Sequence, residues 1–254
     1  MAGLSALTPR TRLRHGHRTK PPTLVRLDQV SLRDPLGKAV LHDFSFRIRA
    51  GERWQVAADD KRSALALLQC VADVQQPHSG TATIRGHVSW PMGKLSGLSP
   101  LLSSADNFRF FAGVYGQRGH IKAEQELLRS LCNFDEKIWI RPFKKLPQTL
   151  KQRFKLALGL VFDFDLYVFD PGAYAPLLRQ GCWDDHWQAI LEQRIRERAV
   201  ITIAGDRLGI AERCQRCLVI RDGRLVDKGR VAQGRTSMPA APRLRPRSRR
   251  RPTL

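Results

Sequence analysis

No apolar run in the 254 residues approaches the eighteen or so that a membrane span needs. The longest candidate, KLALGLVF, stops at Asp163. The N-terminus is basic but has no apolar stretch behind it, which argues against a secretory signal. It also shows no amphipathic face, so it reads as a disordered basic tail rather than an organellar transit peptide. Paired cysteines are missing as well. Cys70, Cys132, Cys182, Cys214 and Cys217 are odd in number and scattered, which excludes a disulfide framework and suits a reducing compartment. Cys214-x-x-Cys217 has no second pair to complete a zinc site, and is expected to be a helix end running into a strand. No internal repeat is visible.

Acid is absent from both ends. Residues 1–22 carry five Lys/Arg and residues 235–254 carry seven Arg, with no Asp or Glu in either. Setting those twelve aside leaves about +9 of the net +21, so the middle is basic too. Such a surface attracts anionic lipid headgroups or nucleic acid. No aromatic-interleaved basic motif or zinc module supports the second, so nucleic acid is not the expected partner. The last twenty residues, rich in Arg and Pro, are not expected to pack. What remains, residues 23–232 with 42% hydrophobic content over the whole chain, is enough for an ordinary core.

The organising stretch is AGERWQVAADDKRSALALLQ, residues 50–69. Trp54, Val56 and Ala57 supply a buried strand, and Leu65, Leu68 and Ala72 recur at helical spacing, placing them on one core face. A strand feeding a loop that opens a helix is where phosphates sit, because backbone N–H groups and the helix dipole point there. The chemistry of such a loop is G-x-x-x-x-G-K-[ST]. In register stand Ala58, Asp59, Asp60, Lys61, Arg62, Ser63, Ala64 and Leu65. Ala58 and Ser63 replace the glycines, Ala64 the lysine and Leu65 the hydroxyl. The scaffold is legible and its chemistry is missing.

Before this stretch, LVRLDQVSL and AVLHDFSFRIRAGE alternate as strands around the turn DPLGK. After it, TATIRGHVSWP reads as a strand pair closed by Pro91. SADNFRFFAGVYG reads as a helix capped by Ser104 or Asp106. Helices follow in IKAEQELLRSLCNF and TLKQRFKLALGLVF. DLYVFDPG is a strand ending at Asp170, and a helix is expected from about Cys182 to Arg196. AVITIAG has the content of a buried parallel strand. RLGIAERC is expected to be helical, and CLVIRDGRLVDKG a hairpin on Asp222-Gly223. The class is α/β, with an antiparallel edge on a mixed sheet.

Four segments carry a resemblance: VSWPMG at 88–93, DNFRFFAGVYG at 106–116, FDFDLYVFDPGA at 162–173 and CLVIRDGRLV at 217–226. On them residues 23–230 resemble the nucleotide-binding subunit of an ABC transporter, of the type that energises capsular polysaccharide export. The resemblance implies a P-loop NTPase-like mixed sheet with a helical subdomain at about 98–162, flanked by tails at 1–22 and 233–254. It implies a dimer, with itself or with an intact ATPase subunit, that sandwiches ATP and Mg²⁺ and drives a membrane permease. It also implies a peripheral place at the cytoplasmic face of the inner membrane, against anionic lipid.

The residues depart from that family at each catalytic position. Ala39 stands where the adenine-stacking aromatic belongs, and Ser99 where the glutamine that contacts Mg²⁺ and water belongs. Leu146, Pro147, Gln148, Thr149 and Leu150 replace the glycine-bearing signature. Pro171 stands for the general base and Gly205 for the switch histidine. Asp170 alone survives as a metal-binding candidate, with capping of the next turn as its other role. A carboxylate about 4 Å from a phosphate costs about 1 kcal/mol in water and about 4 at a protein surface. Asp59 and Asp60, with the lysine gone, therefore disfavour the phosphates of ATP, with Lys61 and Arg62 offsetting part of that cost, and neither ATP nor Mg²⁺ is counted as a certain cofactor. Hydrolysis is expected to be absent or very weak, leaving a pseudo-ATPase that acts as a structural or regulatory partner. The alternatives are a divergent active ATPase, and a nucleic-acid binder using the tails.

Overall fold

The computed structural model describes residues 20–92, 97–117, 119–179, 183–205 and 209–230. Eight strands and seven helices are described: β1 (Thr23–Arg33), β2 (Ala39–Arg49), β3 (Arg53–Ala58), α1 (Lys61–Val71), β4 (Ser79–Ile84), α2 (Ser104–Tyr115), α3 (Ile121–Cys132), α4 (Glu136–Trp139), α5 (Gln148–Val161), β5 (Leu166–Phe169), α6 (Pro171–Arg179), α7 (Asp185–Ile195), β6 (Ala199–Ile203), β7 (Arg216–Arg221) and β8 (Arg224–Arg230).

Two sheets form. β2-β1-β4 is antiparallel, and β5-β6-β3-β7-β8 is parallel except for its last strand. The patterns explain the difference. β1 and β2 alternate buried and exposed residues, as a sheet with one wet face must. β5 is buried at every residue and β6 at all but its last, as strands covered on both faces must be. α1 lies in the core between the sheets, with Ala64, Leu67, Leu68 and Val71 packed among Val25, Phe44, Val56 and Ile201. The second core joins α2, α3, α5 and α7 to the other side of β5 through Phe108, Leu128, Phe154, Trp187 and Tyr167.

Several local expectations change. The core face of α1 is centred on Ala64, Leu67, Leu68 and Val71, while Leu65 and Ala72 are only half-buried. The helix starts at Lys61, earlier than the loop motif implied. Only β4 of the strand pair in TATIRGHVSWP is a full strand. Val88 and Met92 make isolated parallel bridges to Leu166 and Phe169. The cap of α2 is Ser103, whose hydroxyl accepts the Asp106 N–H and bonds its carboxylate in return. Pro171 does not simply break the chain: it opens α6, a helix with no foreshadowing in the sequence, at the position where a missing N–H costs nothing. RLGIAERC contributes only a 3-10 turn at 211–213 among its described residues. Cys214 follows that turn, its thiol donating to the Ile210 carbonyl, and Cys217 lies in β7. Residues 1–19 and 231–254, the bulk of both tails, lie outside the described residues, as does Cys182.

Candidate nucleotide-binding face

β3 is the central strand, paired in parallel with β6 on one side and β7 on the other. Its carboxyl end therefore opens toward the crevice where ligands of parallel sheets bind. Only Asp59 and Asp60 separate Ala58, the last residue of β3, from Lys61, the first of α1. Ala58–Leu65 is thus not an eight-residue loop. Lys61, Arg62, Ser63, Ala64 and Leu65 are helical.

Four backbone amides at this corner already have acceptors. Asp59 N–H donates to the Ile220 carbonyl at 3.3 Å, and Asp60 N–H to Asp59 Oδ1 at 2.8 Å. Arg62 N–H donates to Asp60 Oδ1 at 3.0 Å, and Ser63 N–H to the Asp60 carbonyl at 3.1 Å. Asp60 has the extended backbone (φ −112°, ψ 118°) of an N-cap and supplies the carboxylate that a helix N-terminus attracts. Its second oxygen faces the Arg62 guanidinium at 2.9 Å. Hydrogen bonds from that side chain and from the Arg62 amide hold the Asp60 carboxyl below its ordinary value. The other oxygen of Asp59 accepts the Asp222 N–H at 2.9 Å, tying the corner to the β7–β8 hairpin.

Further bonds seal the face. The buried Ser63 hydroxyl donates to the Val40 carbonyl at 2.8 Å. Arg62 also reaches Asp34 at 3.3 Å. Asp34 is 7% exposed and accepts the Leu36 and Lys38 amides, so it organises the turn before β2. Ala39, at the start of β2, is exposed. Gly223 packs so closely on β2 that a Cβ there would sit 2.7 Å from the Val40 carbonyl oxygen, and its φ of +69° suits glycine.

Asp170 is 1% exposed at the end of β5, and its Oδ1 accepts the Gly172 N–H at 3.0 Å in the first turn of α6. A Cβ placed on Gly172 would lie 3.1 Å from Lys61 Nζ and 3.3 Å from Asp170 Oδ1. The ammonium therefore reaches across from α1 to the Asp170 end of the sheet. The sequence reading assigned Lys61 no such place. The only available signal was the run Asp59-Asp60-Lys61-Arg62 itself.

The remaining positions lie elsewhere on the face or beyond it. Ser99 is half-buried, and its backbone is bracketed by the Asn107 amide: Ser99 N–H donates to Oδ1 at 2.8 Å and Nδ2 donates to the Ser99 carbonyl at 3.0 Å. Gly205 follows β6 in a turn with φ +81°. Pro147 caps α5 without a side-chain hydrogen bond, Gln148 is exposed and Thr149 half-buried. Leu146 is buried in the helical core and Leu150 packs against it. Among the described residues, no three His, Cys, Asp or Glu side chains gather as a metal site would require.

No protein-family model matches the chain. It is 23% identical over 189 residues to the capsule polysaccharide export ATP-binding protein CtrD of Neisseria meningitidis, covering 74% of this chain and 84% of that protein. It is 20% identical over 197 residues to the polysialic acid transport ATP-binding protein KpsT of Escherichia coli, covering 77% and 86%. Among solved structures, the dimeric form of a bacterial ABC transporter cassette superposes with a TM-score of 0.61 at 16% identity, covering 81% of this chain and 98% of that one. The chain thus has the ABC-transporter cassette fold, and its sequence relatives include capsule polysaccharide export and polysialic acid transport ATP-binding proteins.

Proposed function

We propose that this chain is the cassette subunit of a capsule-type polysaccharide exporter, and that it acts on its membrane permease as a non-hydrolytic partner. One observation carries the second half of this reading. Helix α1 begins at Lys61, and the amides of Asp59, Asp60, Arg62 and Ser63 donate to protein acceptors, two of them carboxylates. The helix end carries its own anion. A triphosphate would have to displace the Asp60 cap, unwind the first turn of α1, and face Asp59 and Asp60 without a lysine at position 64 or a hydroxyl at 65. The residues present do not fit Mg²⁺-ATP.

Catalysis is further disfavoured by chemistry. Phosphoryl transfer depends on a positioned metal, a lysine and a water-orienting group. Pro171 has no group to take a proton. Ser99 and Gly205 do not replace the glutamine and histidine that the family resemblance places there. Asp170 serves as an acceptor for the turn that follows it.

The sequence likeness to export ATP-binding proteins supports the transport role, through 74–77% of the chain. The subunit pairs with an ATP-competent homologue or with itself and sits peripherally at the cytoplasmic face of the inner membrane. No helix among the described residues is long and apolar enough to cross a membrane. The positive charge of residues 1–22 and 233–254 attracts anionic headgroups. The reading is tested by phosphate release from purified protein together with fluorescent-ATP titration with and without Mg²⁺. The expected result is no turnover above background and no Mg²⁺-dependent binding. Turnover that disappears in Asp170→Ala would establish instead a divergent active ATPase. Recovery from membranes tests the transport half: the permease is expected to co-purify.

A further inference from the structure

One face of the β2-β1-β4 sheet packs on α1, and the other is polar. Among the described residues, no exposed large apolar side chain lies on these three strands. Where β1 starts, arginines from three sides meet on the polar face. Arg26 stands directly opposite Arg47 of β2, and on its other side opposite Thr83 of β4. Arg49, two residues beyond Arg47 and so on the same face, pairs with Thr23. Arg85 follows β4 and extends the pairing, its N–H donating to the Leu24 carbonyl at 2.7 Å. Like charges directly across a strand pair destabilise a sheet. Of these four arginines, only Arg26 has an ion pair among the described residues, with Asp28 at 2.7 Å. Asp43 is the other acid in the three strands. Away from the arginines the face is hydroxylic. The Ser45 hydroxyl accepts the Gln29 N–H at 2.9 Å, and the Ser31 hydroxyl accepts the Asp43 N–H at 3.3 Å. These bonds hold Gln29 and Asp43 at φ of 50° and 46°, which residues with side chains seldom adopt. Each serine keeps its own O–H proton to donate.

We propose that this face binds an acidic polysaccharide, with its carboxylates on Arg26, Arg47, Arg49 and Arg85 and its hydroxyls on the neighbouring serines and threonines. The occupant is chosen by complementarity. Guanidinium forks hold carboxylates through two parallel hydrogen bonds, and anions set among the arginines remove their mutual repulsion. A sugar chain alternates such anions with hydroxyls, as the face alternates arginines with Ser and Thr. A single-stranded nucleic acid gains its affinity by stacking on aromatic side chains, which this face lacks. A bilayer surface is held by basic residues together with apolar side chains that enter it, which the face also lacks. The inference deepens the transport reading and rests on it at one point: the exported polymer is the chain that reaches the face.

The test titrates the full-length chain into an end-labelled polygalacturonate oligomer and reads fluorescence anisotropy, with a neutral dextran oligomer of equal length beside it. Affinity for polygalacturonate should fall about tenfold in Arg47→Glu/Arg85→Glu and about threefold in the milder Arg47→Ser/Arg85→Ser. It should also fall as salt is raised from about 50 to about 300 mM, as an ionic contact requires. Lys137→Glu/Arg141→Glu changes the net charge by the same amount on another element, and should cost less than about twofold. Residues 1–22 and 233–254 are identical in every variant, so their charge cancels from the comparison. Circular dichroism melting verifies that each variant is folded. Equal losses in the two glutamate variants, an affinity indifferent to both changes at Arg47 and Arg85, or equal binding of dextran overturns the inference. So does a larger loss, in Arg47→Glu/Arg85→Glu, of binding to single-stranded DNA or to vesicles with about 30% phosphatidylglycerol. Face-dependent polygalacturonate binding by a chain that recovers no permease from membranes keeps the inference and removes the transport reading. A permease that co-purifies with a chain whose face is indifferent to polygalacturonate does the reverse.

Discussion

Replacing Asp60 probes the step on which the non-hydrolytic reading turns. Asp60 does two things in the structure: it caps α1 through the Arg62 amide and it faces the Arg62 guanidinium. Loss of an N-cap carboxylate costs about 0.5–2 kcal/mol. The ion pair is exposed at both ends, 48% and 38%, so it adds about 0–1 kcal/mol at most. Asp60→Ala should therefore destabilise the chain by about 1–2 kcal/mol, or about 2–8 °C in a domain of this size. Asp60→Asn keeps the cap and loses only the pair, so it should fall between parent and alanine variant. The pH dependence follows from the depressed carboxyl. Stability from such a group is present above its unfolded value, 3.8, and is lost as pH falls through its lower folded value. The gap between parent and Asp60→Asn should be full at pH 5 and close below 3.8. Urea unfolding at several pH values measures it. The same samples test the site. Addition of 1 mM Mg²⁺-ATP should stabilise the parent by less than about 0.5 kcal/mol, whereas a site of about 1 μM affinity would add about 4. An alanine variant as stable as the parent, together with a large ATP shift, would mean that α1 does not start at Lys61 and that the corner is open to phosphate.

Two further perturbations test the scaffold. Gly80 has φ +79°, and a Cβ there would lie 2.3 Å from the Gln29 carbonyl oxygen, so Gly80→Ala should cost more than about 2 kcal/mol by strain and by separating β4 from β1; thermal melting measures it. Glu124 is 2% exposed in α3, accepts the Gln117 N–H, and has its carboxyl pushed up by burial, against the opposing pull of Arg194 and His120 and with a further push from Asp163. A raised carboxyl penalises the fold once it ionises, so Glu124→Gln should stabilise at pH 7, and the gain should vanish below pH 4.5, its ordinary value.

The element order was legible because it is written in short-range pattern. Alternation in Thr23–Arg33 and Ala39–Arg49 gave two strands, an unbroken apolar run gave β6, and Asp222-Gly223 gave the hairpin. The missing glycines and lysine at 58–65 were equally plain, since a motif is a statement about residue types at fixed spacing. The start of α1 was not. Register with a glycine loop placed a loop through Ser63, but without those glycines the helix winds back to Asp60 and uses it as a cap. Pro171 misled for a related reason: proline ends a helix from inside and starts one from its first position, and the sequence alone does not say which end it occupies.

Composition, periodicity and motif spacing are properties of neighbours along the chain, and they fixed the fold class, the central strand–helix unit and the loss of the phosphate-loop chemistry. The closure of that corner was decided only in three dimensions. Asp59 finds the amide of Asp222, Arg62 finds Asp34, Ser63 finds the Val40 carbonyl and Lys61 reaches Gly172, each partner lying far along the chain. The hydrogen bonds and the ion pair among these exist because β7 pairs beside β3 and because α1 packs against β2. Such pairings depend on packing between sheets, for which local sequence holds no record.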